Sequence, residues 1–135
     1  MTLKDIDHIA VAVHSMAEAL ATFSRLYGIE PERFEEVASD KITEAMLPIG
    51  DTYLQLLEPT DAESTVTKFL EKRGPGLHHI AIRVDDLEET LAHLKSEGAE
   101  LIDETPRIGG GGHRVAFVHP KTTHGILIEL IEQDR

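Results

Sequence analysis

A repeated segment, with a histidine at the same place in each copy, is the feature that most constrains how this chain of 135 residues can fold. The segment DHIAVAV at 7–13 returns as HHIAIRV at 78–84, so His8 and His79 occupy equivalent positions. Each copy is followed by a stretch with helical periodicity and then by runs of strand-forming residues. The chain is therefore predicted to contain two copies of one module, each beginning with a strand that carries a histidine.

The two repeated segments alternate between large and small residues, as strands with two different faces do. In the first copy Ala10 and Ala12 share a face with His8, and bulky aliphatic residues occupy the other face. We expect a helix to cover the aliphatic face. The face with the small residues indicates a hollow into which the histidine points. One such strand alone would more often carry a surface histidine, but two copies in the same register favour a shared site.

Capping residues and apolar stripes predict three helices. Ser15 with Glu18, and Asp85 with Glu88, have the spacing of reciprocal N-terminal caps. The predicted helices run over 15–28, 64–73 and 85–98, the first and third ending at glycine. Further strands are predicted at 33–37, 43–49, 52–57, 100–105, 114–118 and 125–131. Each half therefore has the order β-α-β-β-β.

This order predicts an α+β fold in which two tandem βαβββ modules form a half-open, barrel-like cleft. We expect one domain over 1–135, because the length is typical of a single unit. Module one is predicted at 4–58, a connector with its own helix at 59–76, and module two at 77–133.

The last strand of each module carries a polar residue among aliphatic ones, Gln55 in YLQLL and Glu129 in LIELI. With His8 and His79 they provide two imidazoles and two oxygen donors, a set that suits divalent cobalt, manganese, nickel, zinc or iron. In octahedral geometry four ligands leave two positions for a substrate with two neighbouring oxygens. The sequence therefore predicts a metal site formed by these four residues.

The other histidines have weaker signals. His78 lies on the opposite face from the repeated histidine and is expected to be a core or supporting residue. His113, His119 and His124 flank a glycine run and a turn, and could contact substrate. The glycine run at 109–112 lacks the Gly-Lys-Ser or Gly-Lys-Thr of a phosphate loop, and is expected to be a flexible loop that closes over substrate.

Composition excludes several classes of function. A formal net charge of −12 argues against binding to nucleic acid, and an aromatic content of 4% without tryptophan provides few surfaces for base stacking. The absence of cysteine excludes disulfides, a thiolate nucleophile and sulfur-ligated zinc. The apolar runs are too short to span a membrane and no signal peptide is apparent, so a cytoplasmic location is expected.

Six segments are spread over essentially the whole chain: DHIAVAV at 7–13, EAMLPIG at 44–50, LLEP at 56–59, GPGLHHIA at 74–81, AFVHPK at 116–121 and LIEL at 127–130. Together they resemble segments of the vicinal oxygen chelate superfamily (glyoxalase/bleomycin resistance/dioxygenase) and, within it, of the methylmalonyl-CoA epimerase family. LLEP occurs across the superfamily, whereas HHIA together with HPK is more typical of the epimerases.

The resemblance implies the same four metal ligands as the repeat, and it adds a catalytic carboxylate at Glu44. It implies a metal-dependent epimerase in which Glu44 removes the proton α to the thioester of (2R)- or (2S)-methylmalonyl-CoA and the metal stabilises the enolate. Reprotonation on the opposite face needs a second group. Glu129, a water molecule or a histidine from 109–124 are the candidates.

The same resemblance implies an acyl-CoA substrate, a homodimer, a place in propionate metabolism, and Co²⁺ ahead of Mn²⁺, Ni²⁺ or Zn²⁺. Two other functions stay open. A glyoxalase-type isomerase acting on a glutathione hemithioacetal would use the same ligands, although Glu44 and HPK favour the epimerase. A metal-free protein that binds small molecules would not need four metal-competent residues in register.

Overall fold

The computed structural model describes residues 2–132, which contain three helices and eight strands. The helices are α1 (Met16–Tyr27), α2 (Thr65–Arg73) and α3 (Leu87–Ser96). The strands are β1 (Leu3–Ala12), β2 (Arg33–Val37), β3 (Ile42–Ile49), β4 (Thr52–Pro59), β5 (Gly76–Val84), β6 (Arg107–Ile108), β7 (Arg114–Val118) and β8 (Ile128–Glu132). The predicted α+β class with two βαβββ modules is confirmed. Across residues 2–132, no helix combines the length and the apolar character that a membrane span requires.

The chain divides into two units, one formed by 2–8 with 79–132 and the other by Ile9–His78. In the Ile9–His78 unit the strands follow the order β2-β3-β4-β1, with β2, β3 and β4 antiparallel. In the other unit the order is β1-β5-β8-β7-β6, with β5 and β8 parallel. The single domain over 1–135 remains a prediction, and position 133, the predicted end of module two, lies outside the described residues.

Helix α1 begins and ends as its sequence predicts. The hydroxyl of Ser15 accepts a hydrogen bond from the backbone N–H of Glu18 at 3.1 Å. Gly28 adopts the left-handed conformation with φ of 66°, which a residue without a Cβ reaches at no steric cost. Its N–H bonds the carbonyl groups of the last turn, so the helix stops there.

Helix α3 begins one residue later than predicted. Its cap is Asp86, whose carboxylate accepts from the N–H of Glu89 at 3.0 Å, so the predicted pair of Asp85 and Glu88 is wrong. The physical reason is that Asp85 has another partner. Its carboxylate accepts a hydrogen bond from the N–H of Thr2 at 3.1 Å, which ties the start of β1 to the end of β5.

Two predicted strands of module two also differ. The run 100–105 forms only an isolated bridge from Leu101 to Val118, and the carboxylate of Asp103 accepts the N–H of Phe117 at 2.8 Å. Strand β8 starts at 128 rather than 125, because the preceding residues form a turn in which the N–H of Gly125 bonds Pro120 O at 2.7 Å.

Helices pack on both faces of the sheet in the Ile9–His78 unit, and α2 covers Ala10 and Ala12 of the first repeat. Helix α1 packs on the face of Leu56. On the other face, Ala10 and Ala12 are fully buried in one cluster with Val66 and Leu70 of α2. The small residues of the first repeat therefore accommodate the connector helix.

The second unit has a core that depends on α3. Leu87 is fully buried against Val84, Leu91 and Leu130. Replacing Leu87 with alanine is expected to lower the free energy of unfolding by about 3 kcal/mol, through lost burial and the cavity left behind. Urea unfolding measures this loss. Leu26→Ala, at a position 55% exposed on α1, should change stability by less than about 0.5 kcal/mol, and equal losses would contradict this account.

Candidate metal centre

Three buried side chains meet in the unit formed by 2–8 and 79–132. Nε2 of His8 lies 3.3 Å from Nε2 of His79, and Oε1 of Glu129 lies 3.0 Å from the second and 3.2 Å from the first. At most 8% of any of these residues is exposed. Three donor atoms thus form a nearly equilateral triangle shielded from solvent.

Strand register brings these residues together although they are far apart in sequence. His8 lies on β1, His79 on β5 and Glu129 on β8. The parallel pairing of β5 with β8 sets Ala81 opposite Glu129, and the antiparallel pairing of β7 with β8 sets Phe117 opposite it. His79 is two residues from Ala81, and alternate residues of a strand share a face, so the imidazole of His79 is on the same side of the sheet as the carboxylate of Glu129.

The triangle fits a divalent cation. Donor atoms bound at about 2.1 Å to one ion lie about 3.0 Å apart at octahedral angles and about 3.4 Å apart at tetrahedral angles. The three observed separations, 3.0, 3.2 and 3.3 Å, fall within that interval. Two imidazoles and one carboxylate also match the preferences of the later first-row transition metals. His8, His79 and Glu129 therefore form a possible metal site, as expected from the sequence.

Neighbouring side chains orient both imidazoles. Nδ1–H of His8 donates to Oδ2 of Asp7 at 2.7 Å, so the lone pair is on Nε2, facing the other two donors, whenever the ring is neutral. The ring of Phe117 meets that of His79 edge to face, with centroids 5.3 Å apart and an interplanar angle of 88°. Both contacts limit rotation of the imidazoles.

Without a metal ion, hydrogen bonds within the centre shift the pKa values of His8 and Glu129 in opposite directions. Burial alone would lower the pKa of His8, but hydrogen bonds to Asp7 and Glu129 outweigh it and raise that pKa to about 9. Burial would raise the pKa of the Glu129 carboxyl, but hydrogen bonds from His79 and His8 hold it well below its usual range. The metal-free centre therefore holds a proton on His8 beside an ionised Glu129.

That proton has to leave when a metal ion binds, because only a neutral imidazole can coordinate. At neutral pH we expect Co²⁺ binding to release about one proton from His8, so that apparent affinity rises about tenfold per pH unit until about pH 9. Glu129 is already ionised and adds nothing to this slope. Calorimetry in two buffers of different protonation enthalpy measures the release. An affinity that does not change between about pH 6 and pH 8 would contradict the protonated state of His8.

A second set of buried polar groups lies in the Ile9–His78 unit. Gln55 on β4 and Glu44 on β3 are 5% and 3% exposed. Nε2 of Gln55 donates to Oε1 of Glu44 at 3.0 Å, and Nη2 of Arg33 donates to Oε2 of Glu44 at 3.3 Å. Within residues 2–132, Oε1 of Gln55 is buried and has no hydrogen-bond partner. The amide therefore orients a buried carboxylate and keeps an oxygen lone pair for another group.

Two of the other histidines, His78 and His119, contact neighbouring residues outside the triangle. His78 packs its ring against Phe69, with centroids 4.9 Å apart, in keeping with the supporting role predicted for it. Nδ1 of His119 accepts the N–H of Lys121 at 3.0 Å, so this histidine stabilises the turn before β8. The glycine run includes a single short helical turn at Gly110–Gly112.

Sequence reasoning did not identify three residues that support these groups. Asp7 directly precedes His8, and a carboxylate next to a repeated histidine was an available signal. Phe117 could be found only from the register of β7 with β8, and Arg33 only from that of β2 with β3. The order of residues within one strand does not show how that strand pairs with its neighbour, so neither register could be predicted from the sequence.

Comparison with known proteins identifies the family. Residues 7–117 match the Glyoxalase/Bleomycin resistance protein/Dioxygenase superfamily. The uncharacterized protein YqjC of Bacillus subtilis is 40% identical over 94% of this chain and 91% of its own. The ethylmalonyl-CoA/methylmalonyl-CoA epimerase of Cereibacter sphaeroides is 32% identical over 93% and 95%.

A solved structure agrees with these matches. A single-substitution variant of the methylmalonyl-CoA epimerase of Streptomyces coelicolor, in complex with 2-nitronate-propionyl-CoA, superposes with a TM-score of 0.94 and 38% identity, over 98% of this chain and 96% of that one. The chain therefore belongs to the Glyoxalase/Bleomycin resistance protein/Dioxygenase superfamily and, within it, to the family that includes these methylmalonyl-CoA epimerases.

Proposed function

We propose that this protein is a metal-dependent epimerase that interconverts (2R)- and (2S)-methylmalonyl-CoA. The observation that carries the proposal is the buried triangle of His8, His79 and Glu129, in a chain whose relatives include epimerases acting on this thioester. A structural relative bound to an acyl-CoA analogue supports a CoA thioester as the substrate class.

Gln55 is proposed as the fourth ligand of the metal ion. The support is its buried Oε1, which has no hydrogen-bond partner in the described chain. A buried amide oxygen without a partner costs free energy, and coordination of a metal ion would offset that cost. The hydrogen bond from its Nε2 to Glu44 fixes which end of the amide carries the free oxygen. We expect Gln55→Ala to lower Co²⁺ affinity measured by calorimetry, and Gln55→Glu to retain binding.

When bound, the divalent ion supplies positive charge that polarises the thioester carbonyl and stabilises an enolate. Glu44 is proposed as the base that removes the α-proton. Its carboxylate is held by Gln55 on one oxygen and Arg33 on the other, so its orientation is set before substrate arrives. Burial keeps bulk water from competing for the proton.

Inversion requires a proton delivered to the face opposite the one that Glu44 serves, and Glu129 is proposed as that second acid–base group. A specific result would follow in Glu129→Gln at saturating Co²⁺. One stereoisomer should still exchange its α-proton with solvent through Glu44, but without inversion. Inversion at the wild-type rate in this variant would instead indicate a water molecule or a histidine from 109–124.

The decisive experiment follows the α-proton in deuterium oxide. Metal-stripped protein, with and without Co²⁺, is incubated with (2R)- or (2S)-methylmalonyl-CoA, and deuterium at C2 is measured alongside inversion. Metal-dependent exchange with inversion is the expected result. If neither exchange nor inversion occurs with one Co²⁺ bound per chain, the proposal is overturned. A glyoxalase-type isomerase acting on a glutathione hemithioacetal would then be the function to test.

Several finer features belong to the same proposal. Co²⁺ is proposed as the preferred ion ahead of Mn²⁺, Ni²⁺ and Zn²⁺, which activity of the metal-stripped protein loaded with each ion would rank. A homodimer is proposed because open sheets have edges to protect, and light scattering would test it. A cytoplasmic location and a place in propionate metabolism remain predictions.

A further inference from the structure

We infer that Arg83 is a positioning residue for the metal centre, because it locks Asp7 in the orientation that holds the ring of His8. The inference rests on the metal site of the proposed function and not on the identity of the substrate. All the residues involved belong to the unit formed by 2–8 and 79–132.

A continuous chain of polar contacts leads from the surface to the metal centre. Nε and Nη2 of Arg83 donate to the two carboxylate oxygens of Asp5 at 2.7 and 3.1 Å. Its Nη1 donates to Oδ1 of Asp7 at 2.5 Å, and Oδ2 of Asp7 accepts from Nδ1–H of His8 at 2.7 Å. The exposed fraction of the side chain falls from 51% at Asp5 to 27% at Arg83, 16% at Asp7 and 5% at His8.

Each oxygen of Asp7 has one defined partner. Rotation of the carboxylate about its own axis would break the bond to Arg83 and the bond to His8 together, so the guanidinium holds the carboxylate plane in place. An acceptor fixed at Nδ1 sets both the tilt of the His8 ring and the tautomer that leaves its lone pair on Nε2. Arg83 therefore acts on the centre through Asp7.

The geometry requires an arginine rather than any cation. The guanidinium is a rigid fork, and here three of its nitrogens bond two carboxylates in different directions. A lysine would retain the charge but not the fork. Loss of metal affinity in both Arg83→Met and Arg83→Lys therefore distinguishes orientation from simple charge.

Arg114 offers a matched control in the same unit. It also pairs with two carboxylates, those of Glu88 and Glu132, and it is 40% exposed. Neither partner belongs to the triangle of donor atoms described above. A general effect of removing a paired arginine should appear in Arg114→Met as well, whereas an effect on the metal centre should not.

The test measures Co²⁺ binding by calorimetry and by the visible absorption of the bound ion, in full-length protein whose folding is checked by circular dichroism. Arg83→Met and Arg83→Lys are each expected to weaken Co²⁺ binding about tenfold and to shift the absorption bands. Arg114→Met should bind within about twofold of the wild type. Co²⁺ affinity and bands in both Arg83 variants equal to those of Arg114→Met would overturn the inference.

A double-mutant cycle with Asp7→Ala tests whether Arg83 acts through Asp7. Once Asp7 is absent, Arg83→Met should weaken binding by less than about twofold more, and full additivity would overturn the inference. Should Arg83→Met fail to fold, the exposed Asp5→Asn variant, which loosens Arg83 alone, replaces it in the comparison with Arg114→Met. Wild-type protein that binds no Co²⁺ would overturn the metal site itself, while Co²⁺ binding weakened as expected in a protein without epimerase activity would overturn the substrate alone.

Discussion

Replacement of Glu44 with glutamine is expected to lower kcat for methylmalonyl-CoA epimerisation by about 10³-fold, within the range that general-base catalysis contributes. Glutamine has the same shape and still accepts the hydrogen bond from Nε2 of Gln55, but its amide cannot take a proton at neutral pH. Co²⁺ affinity should stay within about twofold of the wild type, because the substituted side chain keeps the hydrogen bond that orients the proposed ligand Gln55. Deuterium incorporation at C2 and calorimetric Co²⁺ binding measure the two quantities.

Glu36→Gln is the matched control for this change. Glu36 lies on β2, the strand that pairs with the strand of Glu44, but it is exposed. Glu36→Gln removes the same negative charge as Glu44→Gln but should leave kcat unchanged. The comparison therefore separates loss of the catalytic base from a change in net charge. A Glu44→Gln enzyme that retains more than about a tenth of wild-type exchange would contradict the assignment of the base.

The histidine pair at 78 and 79 provides the second large effect. His79→Ala removes a donor atom that lies 3.3 Å from Nε2 of His8 and 3.0 Å from Oε1 of Glu129. We expect Co²⁺ affinity to fall by more than about 100-fold, beyond the loss seen when residues outside the ligand set are changed. Epimerase activity at micromolar Co²⁺ should disappear with it.

His78→Ala is the control next to it in sequence. Its ring packs on Phe69, so the substitution should reduce thermal stability and leave Co²⁺ affinity within about twofold of the wild type. Similar Co²⁺ affinities in the two alanine variants would show that the triangle does not bind the metal. Recovery of activity in His79→Ala at high Co²⁺ would support a ligand role, because excess metal compensates for weakened binding.

The repeat made the module order predictable because it is a property of the sequence itself. Two equivalent strands must occupy equivalent places, so His8 and His79 were expected to approach each other before any register was known. Glu129 followed from a single polar residue in an aliphatic strand. These inferences needed only the alternation of faces.

Other features depend on partners that are distant in sequence. Asp85 has the spacing of a helix cap, but the N–H of Thr2 is its partner, and no local pattern contains that contact. The small residues Ala10 and Ala12 were expected beside a hollow, yet they accommodate Val66 and Leu70 of α2. The sequence alone left Glu44 as one of 25 acidic residues, and only the family resemblance singled it out.

The spacing of the three donor residues ties the metal centre to the folding of the chain. Contacts at the triangle join residues separated by 71 and 50 positions in sequence. An unfolded chain would have to close two long loops to bind one ion, at a large cost in conformational entropy. A metal ion held by these residues would therefore bind the folded form selectively and act as a reversible cross-link between β1, β5 and β8. At a free metal concentration of about 100 times Kd, binding would raise the free energy of unfolding by about 2.7 kcal/mol.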